Sequence, residues 1–368
     1  LPLNYTRTEE VILAQTGQGS GRIVRPYPSP EIAAMYLRRI LSLGFVLFAI
    51  AAAWPGWSAP PDWAGRPGGP DTPKYHGLVV FGDSLSDTGN DLILTATMHH
   101  DPAIPPSSTY YEGRFSNGPV AAEYLWKRMN GGQAAIEPSL AFPTLGTKSA
   151  VSFAFGGSGS GDTPMNPGGF EVPGLLMQVA TFGDKLQGKK AHQHALFLLW
   201  SGSNDYLFYG ATDVAPVVGN LVRAIETLYS YGARNFLVPN LPDLGLTPLS
   251  QMEGTGPIAS ALSRAHNAAL AEALDGVATR LPDARIMRVD VYALMHEMLR
   301  TGSLAATPPA TEVLAPGAGA TDCLLRAPDT CPDIALDAPL PPLMFWDALH
   351  PSTQAHELLG QAMFDSLR

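Results

Sequence analysis

The chain has 368 residues, 45% of them hydrophobic and only 15% charged, which describes a globular protein with a sizeable core and excludes a disordered one. A formal net charge of -10, from 23 Lys and Arg against 33 Asp and Glu, repels phosphate backbones. It argues against nucleic acid as a partner and against broad adhesion to anionic lipid.

The N-terminal stretch does not read as fold. Arg38 and Arg39 precede an uncharged apolar run over residues 40–54, and the small residues Gly56, Ser58 and Ala59 follow. A basic start, a short apolar core and a small-residue end make a secretory signal peptide. The run is short of the ~20 apolar residues that a spanning helix needs. The expectation is a secreted or periplasmic protein; an uncleaved N-terminal anchor is the alternative, because Pro60 directly follows Ala59. A signal begins near its basic residues, so Met35 is the expected start. Residues 1–59 are read as extension plus signal or anchor, and 60–75, rich in Pro and Gly, as a linker.

From 76 to 368 one catalytic domain is expected. Strands are predicted over 78–81, 151–155, 196–200, 235–238 and 286–289. Helices are predicted around 119–129, 175–186, 215–231, 258–280, 292–299 and 353–367. Buried strands separated by helices mean βαβ units and a parallel sheet covered on both faces. The Pro-rich stretch 301–342 breaks this rhythm and reads as an ordered excursion over the surface. It carries Cys323 and Cys331, the only cysteines, which an exported chain most simply pairs. Without a nearby histidine they make a poor metal site, and no metal is expected.

In open parallel α/β sheets, function gathers at the carboxyl ends of the strands. Four segments at such ends, or in loops, carry suggestive residues. The first strand runs into Gly82-Asp83-Ser84-Leu85-Ser86-Asp87, where Ser84 falls at an expected strand-to-helix junction and Asp87 suits the first helical turn. Taken alone, Ser84 reads as a helix cap. The second strand ends in Gly156-Gly157, where bare backbone can point an N–H into a cleft or simply make a tight turn. The third ends in Gly202-Ser203-Asn204-Asp205. The Asn204 amide is a neutral donor of the kind an oxyanion hole requires, although an Asx-turn is an equal reading. Asp347-Ala348-Leu349-His350, just before the last helix, lets a carboxylate reach the imidazole within one turn of chain and fix its tautomer. Together these supply a hydroxyl nucleophile, oxyanion donors and an oriented base, the parts needed for acyl transfer through a covalent intermediate.

The order and wording of these blocks resemble the GDSL lipase/esterase family, or SGNH hydrolases, over essentially all of residues 77–368. Segments 111–119 and 238–245 look like this family too. The resemblance implies a flavodoxin-like three-layer αβα fold with a five-stranded parallel sheet. It implies a catalytic Ser84, His350 and Asp347, and an oxyanion hole made by the Ser84 and Gly157 N–H groups and the Asn204 amide. Members cleave carboxylic esters without metal or cofactor, and the 111–119 segment tilts the expected substrate towards acyl lipids, with phospholipase or acyltransferase activity in view. A carbohydrate O-acetylesterase is the alternative, and a non-catalytic exported binding module a more distant one. A monomer is expected.

The remaining polar residues have blander readings. His192 and His194 form a His-x-His pair in a solvated loop, His99 and His100 follow the nucleophile segment, and His266 reads as structural. Asp83 and Asp205 neighbour catalytic residues but read as local hydrogen-bond acceptors.

Overall fold

The computed structural model describes residues 75–131, 135–142, 150–162, 169–317 and 319–368. The expected signal or anchor, the Met35 start and the linker up to residue 74 lie outside the described residues.

The sheet is built from β1 (Gly77–Gly82), β2 (Glu137–Pro138), β3 (Ala150–Ser152), β4 (Ala195–Trp200), β5 (Asn235–Pro239) and β6 (Arg285–Val289). All strand pairs are parallel, in the order β2-β3-β1-β4-β5-β6. Five strands were expected from the resemblance, and they recur in the flavodoxin-like order once β2 is set aside. The sixth, β2, has two residues, one of them a proline without an N–H, so no alternation could announce it and only an edge position can hold it. β3 is also shorter than the apolar run that suggested it, which extends to Phe155.

Alternation along each strand builds the two faces. Val79, Phe81, Phe197, Leu199, Phe236 and Val238 pack with α3 (Leu175–Lys185), α5 (Val214–Tyr231) and α7 (Gly256–Arg280). Leu78, Val80, Leu196, Leu198, Leu237 and Met287 pack on the opposite side with α2 (Ala121–Met129) and α11 (Thr353–Asp365). Strands this apolar on both faces can exist only when covered twice, which fixes the three-layer αβα architecture.

Three shorter helices precede the excursion: α1 (Asn90–Thr97), α4 (Ser203–Leu207) and α6 (Pro248–Met252). The excursion follows α8 (Val291–Thr301) and contains α9 (Ala310–Leu314) and α10 (Ala320–Arg326). A Cys323–Cys331 disulfide ties it locally, and the Ile334 N–H donates to the Ser108 carbonyl at 2.8 Å. Leu324, Ile334 and Leu343 bury against Tyr110, Phe115 and Trp346. The excursion therefore has its own small core beside the carboxyl ends of the strands.

Candidate active site

The strand order reverses between β1 and β4, and such switch points open a crevice at the carboxyl ends. β1 ends in Gly82, whose φ is 152°; a Cβ there would collide with the Trp200 carbonyl, so the two strands approach as only glycine allows. The Gln178 side chain on α3 clamps the same residue, accepting from the Gly82 N–H at 3.0 Å and donating to its carbonyl at 2.8 Å. Ser84 sits in the turn that follows, closed by the Ser86 and Asp87 N–H groups on the Asp83 carbonyl, both at 3.0 Å. This corrects the sequence expectation of a helix starting at Ser84. The Asp87 carboxylate draws in the N–H groups of Gly89, Asn90 and Asp91 at 2.8, 2.7 and 3.1 Å, delaying α1 to Asn90.

Ahead of α11, capped by Ser352 Oγ, lies the loop with Asp347 and His350. The Asp347 carboxylate is fully buried and collects four donors: the Leu349 and His350 N–H groups at 2.7 and 2.6 Å, His350 Nδ1 at 2.8 Å and the Tyr110 hydroxyl at 2.7 Å. The opposite ring nitrogen of His350, Nε2, is 3.0 Å from Ser84 Oγ. An interaction across 266 residues of chain is thus closed by the fold. Burial pushes the Asp347 carboxyl up, but the His350 charge and the hydrogen bonds from His350 and Tyr110 outweigh it and hold the group below its ordinary value. A carboxylate kept ionised in this way favours one imidazole tautomer, leaving Nε2 free to accept the serine proton.

Asn204, on the first turn of α4, donates from its amide to the Ser158 carbonyl at 2.9 Å. Gly156 directs its N–H to Asp87 at 3.3 Å, whereas Gly157, with φ 74°, forms part of a cavity wall together with Ser84, Asn204 and His350. The Tyr209 hydroxyl donates to the Gly157 carbonyl. Asp205 accepts from Ser160 N–H and Oγ at 2.9 and 2.8 Å. Residues at and beyond the end of β4 therefore grip the glycine loop after β3 at successive points, which is how a backbone donor is held still.

Two cavities meet at Ser84 and His350. The larger, about 650 Å³ and open to solvent, is walled by Leu244, Val291, Met295, Met298, Met344 and Leu359, among others. The smaller, about 370 Å³, is walled by Ile104, Phe115, Phe170, Phe208 and Leu324, with Asp91 and Gly157.

Asp83 and Asp205 act as the local acceptors expected of them, Asp83 towards the Leu85 N–H at 3.1 Å. Burial pushes the Asp83 carboxyl up to about 7 and that of Asp87 up to about 6. His266 is buried on α7 against the Tyr206 hydroxyl at 2.9 Å, and burial lowers its pKa to about 4. His192 and His194 are exposed beside His76, before β4 and away from the crevice. His100 stacks edge-on against Phe170, behind the smaller cavity, and His99 is exposed. Tyr110, Gln178 and Tyr209 were not singled out in the sequence; each acts through a contact more than fifty residues away, which no local spacing announces.

The family model described as GDSL-like Lipase/Acylhydrolase matches residues 78–363. A phosphatidylcholine-sterol acyltransferase of Aeromonas hydrophila is 30% identical over 322 residues, covering 78% of this chain and 89% of that protein. A GDSL esterase/lipase of Arabidopsis thaliana is 27% identical over 318 residues, covering 77% and 88%. Among solved structures, Est24, a carbohydrate acetylesterase from Sinorhizobium meliloti, aligns at 12% identity with a TM-score of 0.43, covering 79% of this chain and 97% of that one. The chain belongs to the GDSL lipase/acylhydrolase family and is a carboxylic ester hydrolase.

Proposed function

We propose that the protein cleaves esters of acyl lipids through a covalent acyl-enzyme on Ser84, with His350 as base and acid and Asp347 as its anchor. The observation that carries this reading is the 3.0 Å contact between His350 Nε2 and Ser84 Oγ, with Nδ1 held at 2.8 Å by a buried carboxylate. Ser84 Oγ attacks the ester carbonyl carbon as its proton passes to Nε2. The resulting oxyanion is met by the Ser84 and Gly157 N–H groups and the Asn204 amide. Collapse of the tetrahedral intermediate breaks the bond to the alcohol oxygen, which takes the proton from the imidazolium and leaves. Water then gives a proton to Nε2 and adds to the acyl carbon. The second collapse returns the proton to Ser84 and frees the acid.

The aliphatic and thioether walls of the larger cavity support an acyl chain in preference to an acetyl group. The names of the two curated relatives, an acyltransferase acting on phosphatidylcholine and sterol and an esterase/lipase, favour the same class. Export is proposed with it, supported by the Cys323–Cys331 disulfide, since such bonds persist in oxidising compartments.

The kinetic test is the turnover of p-nitrophenyl octanoate by the Ser84→Ala and His350→Ala variants. Each is expected to lose kcat on the order of a millionfold, as loss of a nucleophile or its base does elsewhere. A Ser84→Ala protein retaining a tenth of the activity would overturn the assignment.

A further inference from the structure

We propose that the smaller cavity receives the alcohol half of the ester, and that Asp91 recognises a second hydroxyl on that alcohol. The inference rests on the reading of Ser84 and His350 given above and names the substrate's other half. An ester held at Ser84 has two arms. The larger cavity accounts for the acyl arm, and the alcohol oxygen must leave towards His350, which borders both cavities.

The smaller cavity differs from the larger in kind. Phe115, Phe170 and Phe208 are part of its wall, Leu324 of the disulfide-tied excursion contributes another part, and one carboxyl group, that of Asp91, joins them. Asp91 lies in the first turn of α1 and is 0% exposed. Its backbone is fully used, the N–H donating to Asp87 at 3.1 Å and the carbonyl accepting from the Thr95 hydroxyl at 2.7 Å. No side chain among the described residues hydrogen-bonds its two carboxyl oxygens, and the one N–H close to them, that of Gly156, is also directed to Asp87 at 3.3 Å. A buried carboxyl left in that condition is costly, and a ligand group that satisfies it is correspondingly favoured.

The chemistry of that ligand follows from the surroundings. Burial, and after it the negative charge of Asp87, raise the Asp91 pKa well above its ordinary value, while the nearby Gly156 N–H opposes the rise. That surrounding favours the neutral carboxylic acid, which has one O–H donor and a carbonyl oxygen that accepts. A hydroxyl complements both. A phosphate does not, because no Lys or Arg is among the described residues walling the cavity, while the buried Asp87 lies close to Asp91. The ligand class is thus a neutral monoester of a small polyol, its carbon skeleton against the phenylalanine rings and a free hydroxyl on Asp91.

The test compares two octanoate esters with the full chain: glyceryl monooctanoate, and propyl octanoate, which lacks the hydroxyls. The wild type is expected to favour the glyceryl ester at least tenfold in kcat/KM, the scale set by leaving one buried polar group without its partner. Asp91→Asn, whose amide also donates and accepts, is expected to keep the ratio above one, and Asp91→Ala to collapse it to one. Equal kcat/KM for the two esters in the wild type would overturn the proposal, and that comparison needs no variant to fold. A preference for octanoylcholine that Asp91→Asn removes would overturn it too, by showing that the carboxylate reads a cation. Absence of turnover on p-nitrophenyl octanoate would instead mark failure of the ester-hydrolase mechanism on which the inference rests.

Discussion

The larger cavity, proposed above to take the acyl chain, makes a quantitative prediction. Each methylene buried from water stabilises a complex by about 0.8 kcal/mol, or roughly fourfold in kcat/KM. Lengthening the chain from acetyl to octanoyl adds six methylenes, an upper bound of about 5 kcal/mol if all are fully enclosed. The cavity is open to solvent, so about half that burial is realistic, and the expected gain is on the order of 50- to 100-fold. Met298, buried on α8, forms part of the wall. Met298→Trp should remove about tenfold of the octanoyl advantage while leaving acetyl hydrolysis near the wild-type rate, and Met298→Ala should move the optimum to longer chains. The assay is kcat/KM across p-nitrophenyl esters from acetyl to dodecanoyl, below their aggregation concentrations. Highest activity on acetate with a fall at every added carbon would refute the reasoning and favour an acetylesterase.

Asn204→Ala should lower kcat by about 100- to 1,000-fold with little change in KM, the loss seen when one oxyanion donor is removed; a stopped assay on the octanoate ester reads both terms. Tyr110→Phe deletes one of the four donors on Asp347, a hydrogen bond to a charged group worth about 1.5–3 kcal/mol, and should reduce kcat about tenfold or more at constant KM. An unchanged kcat would mean that the other three donors suffice. His266 has a folded-state pKa of about 4 against an ordinary 6.5, so the unfolded chain binds a proton that the native protein refuses between those values. Its stability contribution is present above pH 6.5 and is lost as the pH falls towards 4, by about 3 kcal/mol at full development. Burial raises Asp83 and Asp87, which act in the opposite sense, with stability lost as the pH rises through about 6 to 7. Both aspartates are shared by wild type and a His266→Gln variant, so they cancel in the difference. Urea unfolding should therefore show the variant gaining on the wild type as the pH is lowered from 7 to 4.

Much of this architecture was legible in the sequence, because buried parallel strands write continuous apolar runs such as the one ending at Trp200. The Asp347–His350 pair was legible because its contact is local, three residues apart. What was not legible is non-local or too short. β2 is two residues long, and the turn around Ser84 depends on Asp87 capturing three N–H groups, a choice that spacing alone does not separate from an immediate helix. Tyr110 reaches Asp347 across 237 positions and Gln178 reaches Gly82 across 96, so both clamps exist only once the sheet has formed. The setting of Asp347, where the His350 charge and the hydrogen bonds from His350 and Tyr110 hold its pKa below the ordinary value although it is fully buried, is likewise a property of the packed protein.

The most direct measurement on the central claim is peptide mapping after treatment with a fluorophosphonate. The account predicts a single stoichiometric adduct on the hydroxyl at position 84, formed quickly in the wild type and very slowly in His350→Ala. An adduct on another residue, or labelling at the same speed without the imidazole, would contradict it.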